Sequence, residues 1–211
     1  MRTTLFCLAL LSLMVLWTGV PATRADDSTK EFFNGKDLTG WEGLMKYWSV
    51  KDGAIIGQTL ENPGHNTFLC STKKYKDFEL RFKVRLRDGK GNSGVQIRSE
   101  ILDRAKFTVK GPQADMAKGF WGSLYGEQFG GMMKAASPEV VKKAVKEADF
   151  NDYSIKVVGK HVTIKINGEM TVDGDFEKMP AEGIIAWQLH QGPPMEVIFK
   201  DIEFKNLSAA K

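Results

Sequence analysis

Residues 78–87 read FELRFKVRLR. Phe78, Leu80, Phe82, Val84 and Leu86 alternate with Glu79, Arg81, Lys83, Arg85 and Arg87. Successive side chains of a strand face opposite sides of its sheet, so one face of this segment is core and the other is solvent. The same period recurs on either side. Residues 48–50 and 54–56 flank Asp52-Gly53, a pair that favours the positive dihedrals of a tight hairpin. Downstream, Tyr153, Ile155 and Val157 precede Gly159-Lys160; Val162, Ile164 and Ile166 precede Asn167-Gly168; Met170 and Val172 follow, which completes a meander. Ile185, Trp187 and Leu189 alternate with Ile184, Ala186, Gln188 and His190. Val197 and Phe199, then Ile202 and Phe204, keep two-residue spacing within each pair but slip by one between pairs, as a bulge near Lys200-Asp201 would cause. Phe32-Phe33 reads as a short strand ahead of the Asn34-Gly35 turn. Only Ser137-Pro138-Glu139 opens a helix, with a capping hydroxyl, proline in the first position and an acid in the first turn. The pattern predicts an all-β fold, a two-sheet antiparallel sandwich with one short helix.

The chain opens differently. Met1 and Arg2 precede an apolar run from Leu5 to Val20, then Pro21 and small residues up to Ala25, which is the layout of a secretory signal peptide. Residues 1–25 are therefore expected to be the segment removed on export to the periplasm or the medium, by cleavage after Ala25 or after Ala22, leaving residues 26–211 as one domain. Cleavage leaves Cys70 as the only cysteine, so no intramolecular disulfide is expected and stability must come from the core. The whole chain carries 30 Lys and Arg against 26 Asp and Glu. Loss of Arg2 and Arg24 reduces the basic count to 28, a net charge of about +2 that gives no argument for a nucleic-acid partner.

Polar chemistry concentrates in residues 88–115, DGKGNSGVQIRSEILDRAKFTVKGPQAD. Gly89, Gly91 and Gly94 allow a tight corner. Val95 and Ile97 then alternate with Gln96 and Arg98, and Gln113 and Asp115 share a face by the same period. If the two strands are neighbours, Gln96, Arg98, Gln113 and Asp115 form a polar cluster, either a binding surface or a solvated face. Residues 116–131, MAKGFWGSLYGEQFGG, read as a long loop. In it Trp121 and Tyr125 are either a stacking platform for a sugar ring or a cap on one end of the core. Glu100, Asp103, Asp115 and Glu127 are the acids in or near this region. His190 stands at a strand end before the rigid Gln191-Gly192-Pro193-Pro194 loop, as a base, a metal ligand or a structural donor. Nucleophile-elbow, His-Glu-x-x-His, phosphate-loop and dinucleotide signatures do not occur.

The segments GNSGVQIRS, GPQAD, WGSLYGE and GIIAWQLHQGPPMEVIFKDIEFKNL occur here in order with FFNGKDLTGW, YKDFELRFKVRL and FNDYSIKVVGKHVTIKINGE. Together they resemble the bacterial 3-keto-disaccharide hydrolase domain family over nearly the whole mature chain. The resemblance implies a concanavalin-like jelly roll and a glycoside whose C3 hydroxyl is already a ketone. Beside a ketone the C2 proton is acidic, so elimination across C1–C2 followed by hydration gives net hydrolysis. Such a route needs a base, a donor at the developing oxyanion and an acid for the leaving group, not a pair of carboxylates at fixed separation. On this basis His190 or Asp115 is expected as base, Arg98 as oxyanion stabiliser, Gln96, Gln113 and Gln188 as substrate ligands, and Trp121 and Tyr125 as the sugar platform. Glu100 and Glu127 stand in reserve as acids. No cofactor is expected, a divalent metal on some of Asp115, Glu127 and His190 being the alternative. The partners implied are a carbohydrate and a sugar 3-oxidoreductase that supplies it. The competing reading is a carbohydrate-binding or adhesion module, which fold class alone does not exclude.

Overall fold

The computed structural model describes residues 24–208. Within them the chain runs α1 (Arg24–Phe32), β1 (Trp41–Glu42), β2 (Trp48–Lys51), β3 (Ala54–Thr59), β4 (Thr67–Ser71), β5 (Phe78–Leu86), β6 (Asn92–Asp103) and β7 (Thr108–Ala117). Then follow β8 (Leu124–Glu127), β9 (Gly131–Lys134), α2 (Pro138–Ala144), β10 (Asn151–Val158), β11 (His161–Ile166), β12 (Glu169–Asp175), β13 (Ile184–Leu189) and β14 (Met195–Asn206). The signal-peptide reading of residues 1–25 falls outside the described residues, save for Arg24 and Ala25 at the start of α1.

Two seven-stranded antiparallel sheets form the sandwich, in the orders β1-β4-β13-β6-β7-β8-β9 and β12-β11-β10-β5-β14-β3-β2. The alternation in residues 78–87 seats β5 at the middle of the second sheet, between β10 and β14. Its Phe78, Leu80, Phe82, Val84 and Leu86 all enter the core. Opposite them, β13 contributes Ile185, Trp187 and Leu189. Trp187 lies at the centre, 5.2 Å from the Phe82 ring in an edge contact and 4.4 Å from Phe199. Burying a side chain of this class stabilises by about 1.5–3 kcal/mol.

Turn chemistry fixes the register. Asp52-Gly53 and Asn167-Gly168 both adopt positive φ, which joins β2 to β3 and β11 to β12 by tight hairpins whose twist matches the strands. The bulge required by the slip in β14 occurs between Lys200 and Glu203, with Asp201 at φ 52°.

Two segments depart from the sequence reading. Phe32 ends a helix, not a strand: the polar stretch before it carries no alternation, and α1 docks on β14. Thr29 Oγ1 accepts from Phe204 N at 2.9 Å, and Phe32 stacks on Phe204 with centroids 4.3 Å apart. Residues 116–131 are not one long loop, because β8 and β9 extend the first sheet beyond β7.

Candidate active site

The first sheet has a second, outward face that is also largely buried. Between the core residues Val95 and Ile97 of β6 stands Gln96; β13 inserts Gln188 between Trp187 and Leu189. Register places Gln113 of β7 beside Gln96, Asp115 beside Gly94, and Tyr125 of β8 beside Gln113. Period two therefore brings Gln96, Gln113, Asp115, Gln188, Tyr125 and Glu127 to one face. Gln96, Gln113, Asp115 and Gln188 are each at most 5% exposed, while Tyr125 and Glu127 are half-buried at the rim.

The carboxamides form a chain. Gln96 Nε2 donates to Gln113 Oε1 at 2.7 Å, and Gln113 Nε2 donates to Asp115 Oδ1 at 2.5 Å and to Gln188 Oε1 at 3.1 Å. Ser99 Oγ donates to Gln96 Oε1 at 2.6 Å. The backbone of Asp115 is pinned: its N–H donates to Ser123 O (3.0 Å), and its carbonyl accepts from Gly122 N (3.0 Å) and from the Tyr153 hydroxyl (3.1 Å). Gly122 makes this possible with φ +73°, since a Cβ there would lie 2.7 Å from Thr171 Oγ1. Burial pushes the Asp115 carboxyl up to about 7, against the pull of the Gln113 carboxamide, and nearby Glu127 adds to the rise. A carboxyl that exchanges its proton near neutrality suits acid–base work.

A strap, the segment before β4, is tied to the rim of this face. Asn66, just before β4, donates from Nδ2 to Glu127 Oε1 at 3.0 Å and accepts from Gln191 N at 3.0 Å. Strands β13, β6 and β7, which carry the carboxamides, lie between β4 and β8 in the sheet order, so the bond links two strands that are not neighbours. Asn62 accepts from Gly64 N and Gly192 N, tying the strap to the loop after His190. His65 within the strap buries Nε2 with no protein partner. The strap residues Asn66 and His65, and Ser99, were missed in the sequence. A loop rich in Asn, Pro and Gly gave no periodic signal, and Ser99 follows a break in register.

His190 is half-exposed at the end of β13, two residues beyond Gln188. Its Nδ1 lies 2.5 Å from Gln191 O; a carbonyl accepts only, so Nδ1 carries a proton and, in the neutral ring, Nε2 is the atom with the lone pair.

Four expectations are placed elsewhere. Arg98 does not join the cluster. It adopts φ 47° at a register break between Gln96 and Glu100, which turns its side chain away to pair with Asp77 at 2.9 Å and to donate to the carbonyls of Lys76, Gly159 and Pro180. Trp121 lies in the main core at 5% exposure. Glu100 is exposed, with Lys110 Nζ at 3.9 Å. Among the described residues no three His, Cys, Asp or Glu groups gather to hold a metal, so Asp115, Glu127 and His190 do not form the alternative metal set.

A family model described as a 3-keto-alpha-glucoside-1,2-lyase-like domain matches residues 28–205. The chain belongs to that family. None of the curated proteins matches the sequence. Among solved structures, this 1,2-lyase-like domain is similar to a candidate glycosyl hydrolase from Parabacteroides distasonis ATCC 8503, at 20% identity over 90% of this chain and 98% of that one, with a TM-score of 0.63. It is also similar to the carbohydrate binding module CBM66 from Bacillus subtilis, at 14% identity over 79% and 95% with a TM-score of 0.57. A third neighbour is a Bacillus subtilis protein of galectin-like fold, at 10% identity over 80% and 90%, again at 0.57. At these identities the likeness is one of fold, a jelly-roll sandwich; family membership is what supports a carbohydrate-active function for the 1,2-lyase-like domain.

Proposed function

We propose that the chain is an exported enzyme that breaks the glycosidic bond of 3-keto-glycosides, 3-keto-disaccharides foremost, by elimination across C1–C2 and hydration. The observation that carries this reading is the buried Asp115 carboxyl, exchanging its proton near neutrality among three carboxamides, with the Nε2 lone pair of His190 at the end of the strand that carries Gln188. A 1,2-lyase in the family description fits elimination between those two carbons.

In the proposed reaction one member of the His190/Asp115 pair takes the C2 proton, and the electrons of that bond pass into the C3 ketone as an enolate. The enolate then expels the C1 substituent, whose oxygen leaves with the bonding pair and takes a proton from the other member. Hydration runs the two proton transfers backwards as water adds at C1 and C2 is reprotonated, so both groups return to their starting state. Gln113 and Gln188 supply amide groups to the ketone and neighbouring hydroxyls, and Tyr125 at the rim offers a ring face. A sugar 3-oxidoreductase is the class of enzyme that would deliver such a substrate. Burial of Trp121 removes one of the two aromatics on which a purely binding module would have relied.

The test is incubation of the purified protein with a 3-keto-disaccharide and, separately, with its unoxidised parent. Release of sugar from the keto compound alone supports the reading. Binding without turnover of either, or cleavage of the parent, overturns it.

A further inference from the structure

The orientation of a buried carboxamide is set by its neighbours, since its oxygen and nitrogen ends have nearly the same shape. Gln96 is the revealing one. With Nε2 toward Gln113, its Oε1 accepts from Ser99 Oγ but also faces two carbonyl oxygens, Pro112 O at 3.1 Å and Gly111 O at 3.3 Å. Turned end for end, Nε2 donates to Pro112 O, Gly111 O and Ser99 Oγ (2.6 Å), which removes the conflict at that end. Its Oε1 then meets Gln113 Oε1 at 2.7 Å, so Gln113 must turn as well. The turned Gln113 presents Oε1 to Asp115 Oδ1 at the 2.5 Å now spanned by Nε2, and to Gln188, which turns to donate. Two oxygens at that distance need a proton between them, and of the two groups the Asp115 carboxyl is the one able to bring it. The spacing lies at the short end of the range for O–H···O and below the range for N–H···O.

We propose that Asp115 rests with its proton on, held by a relay of carboxamides from Gln96 through Gln113 that is fully satisfied only in that state, and that Asp115 is thereby the acid of the site and His190 its base. This rests on the functional reading above. When Asp115 gives its proton to the departing oxygen, Gln113 and Gln96 turn back and Gln113 Nε2 donates to the new carboxylate. The Gln96 conflict then returns and favours reprotonation as water adds. Gln96 and Gln113 are positioning residues here. The groups facing Asp115 agree with a neutral resting state. Glu127 of β8 is an anion that favours the proton. Tyr153 of β10 binds the Asp115 carbonyl, and its phenol is held neutral chiefly by burial, so it adds no charge.

The experiment is an infrared pH titration of the ligand-free full chain, in which subtraction of Asp115→Asn identifies the Asp115 carboxylic band. The band is expected to persist to about pH 7 or above. Gln96→Leu, which touches no charge and does not contact Asp115, removes the conflict that holds Gln113 turned. Loss of the drive equivalent to one net hydrogen bond is expected to lower the midpoint by roughly one unit, and with it the alkaline limb of the pH–rate profile, where the general acid loses its proton. An Asp115 band titrating in the ordinary carboxylate range, or a midpoint that Gln96→Leu leaves in place, overturns the relay; should Gln96→Leu not fold, Gln96→Met gives the same reading. Because the titration uses no substrate, a failed turnover assay beside a high Asp115 midpoint sinks the functional reading alone.

Discussion

Asn66 and Glu127, 61 residues apart in sequence, are joined by a 3.0 Å hydrogen bond that links the start of β4 to the end of β8. The same Asn66 side chain accepts from Gln191 N, so one residue holds together the strap, the loop after His190 and the rim of the carboxamide cluster.

Asn66→Ala breaks both bonds. At about 1 kcal/mol each, the loss of stability is expected to be about 1–2 kcal/mol. Water gains access to Asp115, whose titration falls toward the ordinary carboxylate range, and KM rises more than kcat falls. Denaturant unfolding and a pH–rate profile check this together; an Asp115 titration unmoved by the change would show that the strap is not what keeps the carboxyl dry.

Asp115 also ties stability to pH. Its folded pKa, about 7, lies above the ordinary 3.8, so the unfolded chain ionises first. Relative to Asp115→Asn, the wild-type protein is then most stable below about pH 4 and loses that advantage as pH rises through about 7, by an amount on the order of a few kcal/mol. Unfolding midpoints of the two proteins measured from pH 4 to 8 should converge or cross in this direction. Parallel curves would mean that Asp115 titrates as an ordinary carboxyl.

Arg98 is a structural cation in this fold. Its guanidinium satisfies Asp77 and three carbonyls, and the bend that aims it there leaves no room at Gly183, where a Cβ would lie 2.3 Å from the Arg98 carbonyl carbon. Arg98→Ala strands those acceptors and is expected to cost about 3–5 kcal/mol of stability, read by thermal or denaturant unfolding. A fully stable variant with depressed kcat would instead return Arg98 to the oxyanion role that its place in the sequence first suggested.

The contrast between Arg98 and its neighbour Gln96 shows what was legible in the sequence. Strict alternation in residues 78–87 and in the hairpins announced the sandwich, because a half-buried strand writes its burial into every second residue. The same period grouped Gln96, Gln113 and Asp115, with Arg98, on the condition that their strands were neighbours, and Gln188 joined them only through the family resemblance. It failed at Arg98, where a single positive φ reverses the side chain without changing the spelling of the strand. Trp121 was ambiguous for a related reason. A loop aromatic carries no periodicity, and only the turn in which Trp121 N donates to Ala117 O sends its ring into the core. Asn66 was silent, since its importance lies in a bond to a strand four places away in the sheet.

His190 gives the most direct kinetic prediction. Its Nδ1–H is committed to Gln191 O, which orients the ring and leaves Nε2 as the basic atom. The side chain is half-exposed, so its removal should cost the fold little. General-base catalysis contributes about 10²–10⁴-fold, and His190→Ala is expected to lower kcat on a 3-keto-disaccharide within that range at an unchanged melting temperature. If the lost step is C2 proton removal, a substrate deuterated at C2 will show a larger isotope effect in the variant than in the wild type, because proton transfer then limits turnover more fully. Added imidazole should restore part of the rate without altering KM. A variant that keeps kcat within a few-fold of wild type would remove His190 from the chemistry and leave the buried His65 Nε2 as the next imidazole to test.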